Sequence, residues 1–121
     1  MTTTATDSPR VSTREANRAD LLAVFRIEKA SFAQPWPYRA FERYLGEPGF
    51  LVADSGAVVG YVVADDVLNH GRRLGHIKDI AVGPSYRGRG IGATLLERAL
   101  DVLCERGLRS VKLEVRESND P

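Results

Sequence analysis

Between Ile77 and Arg106 an apolar strand pattern runs through a turn and an Arg/Gly-rich loop into a long amphipathic helix. The order is Ile77-Lys78-Asp79-Ile80-Ala81-Val82, then Gly83-Pro84-Ser85-Tyr86, then Arg87-Gly88-Arg89-Gly90-Ile91-Gly92-Ala93. The helix spans about Gly90 to Arg106, with Ile91, Leu95, Leu96, Ala99, Leu100 and Leu103 on a wide apolar face. Gly107 supplies its left-handed stop. With the later apolar stretch Ser110–Val115, this reads as a right-handed βαβ unit with two parallel strands. The loop also predicts a phosphate-bearing ligand. A helix N-terminus carries unpaired N–H groups and partial positive charge. Gly88, Gly90 and Gly92 have no Cβ, so a bulky anion can approach their amides. Arg87 and Arg89 add donors suited to phosphate oxygens.

The other elements complete a mixed sheet with helices on both sides. Val11–Arg14 reads as a short first strand. Asn17 or Asp20 caps a helix running to about Ala30, with Leu21, Leu22, Val24, Phe25 and Ile27 apolar. Pro35-Trp36-Pro37 ends it. A second helix over Tyr38–Leu45 buries Phe41 and Leu45, and Gly46 and Pro48 stop it. Phe50–Ala53 and Ala57–Ala64 form an antiparallel hairpin around Asp54-Ser55-Gly56. Asp65 to Gly75 reads as a polar loop. Residues 1–9 read as a disordered polar tail and 10–121 as one domain.

Composition narrows the function classes. A hydrophobic fraction of 43%, a charged fraction of 27% and a net charge of +1 describe a soluble domain with no bulk attraction to nucleic acid or membrane. No apolar run is long enough to span a bilayer, and no metal site is expected. One cysteine, Cys104, excludes an internal disulfide and fits a reducing, cytoplasmic setting. Its apolar helical surroundings read as those of a buried structural thiol. His70 and His76, with no partner at a recognisable spacing, read as a loop residue and a strand-start residue. No Gly-Lys-Ser/Thr follows the glycines, which argues against a Walker-type nucleotide hydrolase.

Ile80–Tyr86, then Arg87-Gly88-Arg89-Gly90-Ile91-Gly92, then Leu113-Glu114-Val115-Arg116-Glu117-Ser118-Asn119 resembles the GCN5-related N-acetyltransferases. Within them it is similar to the ribosomal-protein alanine N-acetyltransferases and their archaeal N-terminal acetyltransferase relatives. The resemblance implies an α+β fold: a mixed, mostly antiparallel sheet with a central parallel pair and flanking helices. It implies that Ile77–Val82 and Ser110–Val115 splay apart, with the pantetheine arm of acetyl-CoA pairing with the backbone of Ile80, Ala81 and Val82. The pyrophosphate would sit on the amides of Gly88 to Ala93, including Ile91 and Gly92, and one strand N–H would serve as oxyanion donor. Glu114 matches the general base, working through water with a pKa raised by burial. Spacing alone favours a solvated strand carboxylate paired with Lys112 or Arg116, and the motif match tips the reading to the base. Asn119 matches a cofactor contact, or is a turn residue.

Phe32, Gln34, Trp36 and Tyr38 are the implied acceptor-groove residues, although a Trp between prolines can equally be a packed anchor. Relatives continue into a further helix, whose Tyr protonates the CoA thiolate, and into further strands. No residue here matches that Tyr, so the chain reads as C-terminally incomplete. The strand edge at Ser110–Val115 then invites a homodimer. The implied activity is transfer of acetyl from acetyl-CoA to a primary amine, foremost a protein N-terminal α-amine. The alternatives are a small-molecule amine acetyltransferase and a non-catalytic acyl-CoA-binding remnant.

Overall fold

The computed structural model describes residues 10–114. Its elements are β1 (Ser12–Glu15), α1 (Leu21–Ser31), α2 (Tyr38–Glu42), β2 (Phe50–Asp54), β3 (Val58–Asn69), β4 (Arg72–Val82), α3 (Ile91–Glu105) and β5 (Val111–Leu113). The five strands lie side by side in chain order. Pairing from β1 to β4 is antiparallel, and β4–β5 is parallel with α3 as the crossover. The mixed α+β architecture is the one expected.

The apolar run Val58–Ala64 makes β3 the strand that feeds both cores. Tyr61 and Val63 join Leu21, Val24, Phe41, Phe50 and Val52 beneath α1 and α2. Val62 and Ala64 join Ile77, Leu95, Ala99 and Leu103 beneath α3. Asn17 and Asp20 act together rather than as alternatives. The Asn17 side chain accepts from Ala19 N–H, and Asp20 reaches back to Asn17 N–H at 2.8 Å. This reciprocal cap opens a 3-10 turn over Arg18–Asp20, from which α1 continues.

Four expectations are corrected. Asp65–Gly75 is a continuation of β3 and β4 as a projecting two-stranded arm rather than a loop. The backbone ladder and ion pairs of Asp66 with Arg73 and Arg106 hold it more than apolar burial does. His70 and Gly71 both take positive φ, the two-residue turn whose twist suits a hairpin. Second, α2 stops at Glu42, and Leu45 packs half-buried in the turns that follow. Third, Leu22 and Leu100 are exposed. Fourth, Cys104 is exposed, because it sits one residue around α3 from the buried stripe Ile91, Leu95, Ala99 and Leu103.

Candidate functional site

β4 carries one extra residue. Val63 opposes Asp79 and Ala64 opposes Ile77, so Lys78 is bulged out. A bulge shifts by one which side chains meet which face. Ile77 joins the core beneath α3, whereas Ala81 joins the core beneath α1 and Asp79 meets Tyr61 there. Strict alternation would have put all three on one face. Outward-looking backbone groups follow the same logic. Gly83 N–H donates to Val59 O at 2.8 Å, so Ala81 and Asp79 also turn their backbone groups to β3. Ile80 and Val82 turn theirs to the other side, where the described part of β5 ends opposite Ile77. Of the three positions expected on the open edge, Ile80 and Val82 face it; Ala81 faces β3.

Val82 leads through a short 3-10 turn over Pro84–Tyr86 to Gly90, the N-cap of α3. Gly88 and Gly90 have φ of 78° and 84°, and a Cβ on either would meet nothing within 4 Å. These glycines serve the left-handed backbone, and the space above them is open. Gly92 is helical, and its Cβ would make an ordinary contact with Val82 at 3.6 Å, so conformation does not demand glycine there. Thr94 N–H makes the first helical bond to Gly90 O. The N–H groups of Ile91, Gly92 and Ala93 are therefore left unused by the helix. Arg89 lies exposed with its guanidinium over the Tyr86 ring at 5.1 Å. It helps line a cavity of about 510 Å³ together with Val11, Thr13 and Ala53. Arg87 behaves differently from Arg89. Its Nε donates to Val82 O at 2.9 Å and its Nη2 to Ser31 Oγ at 3.0 Å. It braces the end of β4 against α1, because buried acceptors lie there for a forked donor.

Glu114 is the last described residue, and its N–H reaches Ile77 O at 3.4 Å. Its side chain is 59% exposed, so the expected burial is absent. Strand register brings His76 opposite Lys112, and Glu114 falls on the same face. Glu114 Oε1 lies 2.7 Å from His76 Nε2, and Oε2 lies 3.7 Å from Lys112 Nζ. The Lys112 pairing is the one anticipated from spacing; His76 was missed. With its proton on Nε2, His76 donates to the carboxylate, while its buried Nδ1 has no partner among the described residues. Asn119 lies outside the described residues.

Of the acceptor-groove residues, Phe32 is buried in the first core and supports the loop from beneath. Gln34 is exposed. Trp36 stacks on Tyr44 at 6.0 Å and packs tilted on Phe41 at 5.4 Å. Tyr38 meets Phe25 edge-on at 5.9 Å. Trp36, Arg39, Arg43 and Tyr44 line a groove of about 350 Å³. Beneath it, Trp36 N–H donates to the buried carboxylate of Glu28 at 2.8 Å. Glu28, with Tyr61 and Asp79, was also missed. The available signal was a carboxylate inside the stripe Leu21, Val24, Glu28, Ser31, whose members are all buried.

The fold and this loop define a class. Residues 19–121 match the model of the Acetyltransferase (GNAT) family, and the chain belongs to that family. Its enzymes use acetyl-CoA. The ribosomal protein bS18-alanine N-acetyltransferase of Escherichia coli K12 is 35% identical over 105 residues, 83% of this chain and 66% of its own length. The N-alpha-acetyltransferase of Sulfolobus acidocaldarius is 36% identical over 120 residues, 89% of this chain and 71% of its own. The crystal structure of Ard1 from Thermoplasma volcanium superposes with a TM-score of 0.78 at 28% identity, covering 91% of this chain and 74% of that one. This chain thus spans just under two thirds of the E. coli relative.

Proposed function

We propose that the chain transfers the acetyl group of acetyl-CoA to the α-amine of a protein N-terminus, of the ribosomal-protein alanine type. The observation that carries this reading is the outward backbone of Ile80 and Val82 leading into the unused amides of Ile91, Gly92 and Ala93. A pantetheine arm can pair with such an edge as an added strand. The pyrophosphate then meets the helix amides, with Gly88, Arg89 and Gly90 forming the rest of the cradle. An acceptor peptide lies along Gln34, Trp36 and Tyr38, and Asn119 adds a cofactor contact. The neutral amine attacks the thioester carbon, so the C–N bond forms as charge develops on the oxygen, which a β4 N–H stabilises. Collapse breaks the C–S bond and releases the CoA thiolate. The amine proton goes to Glu114, directly or through one water. The substrates named for the relatives support the acceptor class, and with the single cysteine they support a cytoplasmic setting. Exposed Val111 and Leu113 on β5 support self-association along that edge, which sedimentation would read.

Intact-mass analysis of an Ala-led peptide after incubation with acetyl-CoA and this chain tests the reading. The expected result is a gain of one acetyl group at the N-terminus. Acetyl-CoA binding without transfer would leave a binding module, and acetylation of small amines alone would leave a small-molecule enzyme.

A further inference from the structure

The groove beside the α1–α2 loop joins aromatic rings to positive charge. Trp36 and Pro37 come from that loop, Arg39 and Ala40 from α2, and Arg43 and Tyr44 from the turns that follow it. Arg39 and Arg43 are exposed and stand four residues apart, and Arg43 keeps helical dihedrals. Two like charges at that spacing repel each other and weaken a short helix. Negative charge is near in sequence but taken. Glu42 pairs with Arg18 at 3.2 Å, and Glu47 lies 3.9 Å from Arg106. Neither Arg39 nor Arg43 has an ion-pair partner among the described residues. An anion held between the two guanidiniums would relieve their repulsion and accept charge-assisted hydrogen bonds from both.

The rings and the charge count decide what kind of anion fits. Trp36 and Tyr44 stack on each other with planes 21° apart and centroids at 6.0 Å. Each ring therefore spends a face on the other. A nucleic-acid strand needs open ring faces for its bases and several cations for its phosphates. This groove has two cations, and the chain as a whole carries a net charge of +1. A carboxylate side chain needs no more than the two guanidiniums. The rings, Pro37 and Ala40 then offer apolar cover to the peptide that bears it. Trp36 also belongs to the loop assigned to the acceptor, so loop and groove form one surface.

We propose that this groove reads the acceptor chain behind its N-terminus, and that Arg39 and Arg43 select an acceptor with an Asp or Glu in that stretch. The inference rests on the acetyl transfer to a protein N-terminus proposed above, and it adds the charge of the substrate. Arg39 and Arg43 decide which chain binds, so their effect falls on the peptide KM and leaves acetyl-CoA binding alone.

The test uses Ala-led peptides carrying one Glu, moved along the chain from peptide to peptide, beside a set with Lys in its place. Wild type should acetylate the best Glu peptide with a KM about fivefold below that of its Lys counterpart. The double reversal R39E/R43E should invert that order, with the acetyl-CoA dissociation constant unchanged within about twofold. R39Q/R43Q should remove the preference in both directions. Equal KM for the two sets in wild type, or a Glu preference that survives R39Q/R43Q, overturns the proposal. Trp36 is the one tryptophan of the chain, so its fluorescence reports groove occupancy without any transfer. Glu peptides should shift its emission at lower concentration than Lys peptides. If wild type acetylates no peptide, the transfer reading falls, and this titration still decides whether the groove takes an acidic segment. A single-stranded RNA oligonucleotide that shifts the emission at lower concentration than the best Glu peptide would overturn it in favour of a nucleic-acid groove.

Discussion

Glu114 faces one imidazole at 2.7 Å and one ammonium at 3.7 Å, and both contacts leave its carboxylate open to solvent. A base that works through water needs that access and a fixed orientation, which His76 Nε2–H supplies. An amide in its place keeps the shape and loses the ability to take a proton. E114Q should therefore lower turnover on the order of a hundredfold while leaving acetyl-CoA affinity unchanged. Steady-state rates beside calorimetry would check both halves. Equal turnover would reduce Glu114 to the ion-pair partner of Lys112. The Leu113-Glu114-Val115 motif singles out Glu114 as a candidate, but the surroundings of Glu114 are not legible in the sequence. His76 lies 38 residues away, and only the parallel register of β4 and β5 brings the two together. Glu28 was hidden for a different reason. A carboxylate in a helical stripe reads as surface until a donor is known to wait beneath it, and the donors come from Trp36 and Tyr61 on other elements.

The glycine loop shows how one element carries both conformation and charge. Gly90 caps α3 with φ of 84° and open space above it. Aspartate tolerates that backbone better than most residues and is a favoured N-cap, so G90D should fold. Its carboxylate would stand where a pyrophosphate is expected to lie. Calorimetry should show CoA affinity falling by at least about a hundredfold in G90D, with G90A, which adds no charge, losing far less. Unchanged affinity in folded G90D would remove the loop from the binding site. The loop, α3 and the β2–β3 pairing were readable because turn chemistry and apolar period agree there. The arm from Asp65 to Gly75 was not, since its strands bury little and periodicity carries no signal without burial. Nor was the bulge at Lys78, which the run Ile77-Lys78-Asp79-Ile80 hides. Its effect is to put Asp79 on Tyr61's side of the sheet and turn Ile80 N–H to the open edge.

Across the whole molecule, Arg14 on β1 ties the turn that opens α1 to the sheet. Its guanidinium donates to Asp20 at 2.8 and 3.0 Å, ahead of α1, and to Asp54 at 3.0 and 3.2 Å, at the end of β2. Asp20 is held below the ordinary carboxylate range by Arg14 first and by Asn17 N–H after it, against the opposing effect of burial. Asp54 is lowered by Gly56 N–H first and by Arg14 next. Both folded-state values thus lie below the unfolded ones. Their contribution is fully present above the ordinary carboxylate range and is lost as pH falls through the lowered values. The melting temperature should hold steady from neutral pH down to about pH 5 and then fall steeply below about pH 4. D20N removes the charge and one of the two buried acceptors facing Arg14, which keeps Asp54. It should cost roughly 1–2 kcal/mol at neutral pH, a value discounted for the exposure of Arg14. Its acid-side loss should be shallower, so the wild-type and D20N melting curves converge as the pH drops. Parallel curves at a constant offset would show that Asp20 contributes packing rather than charge.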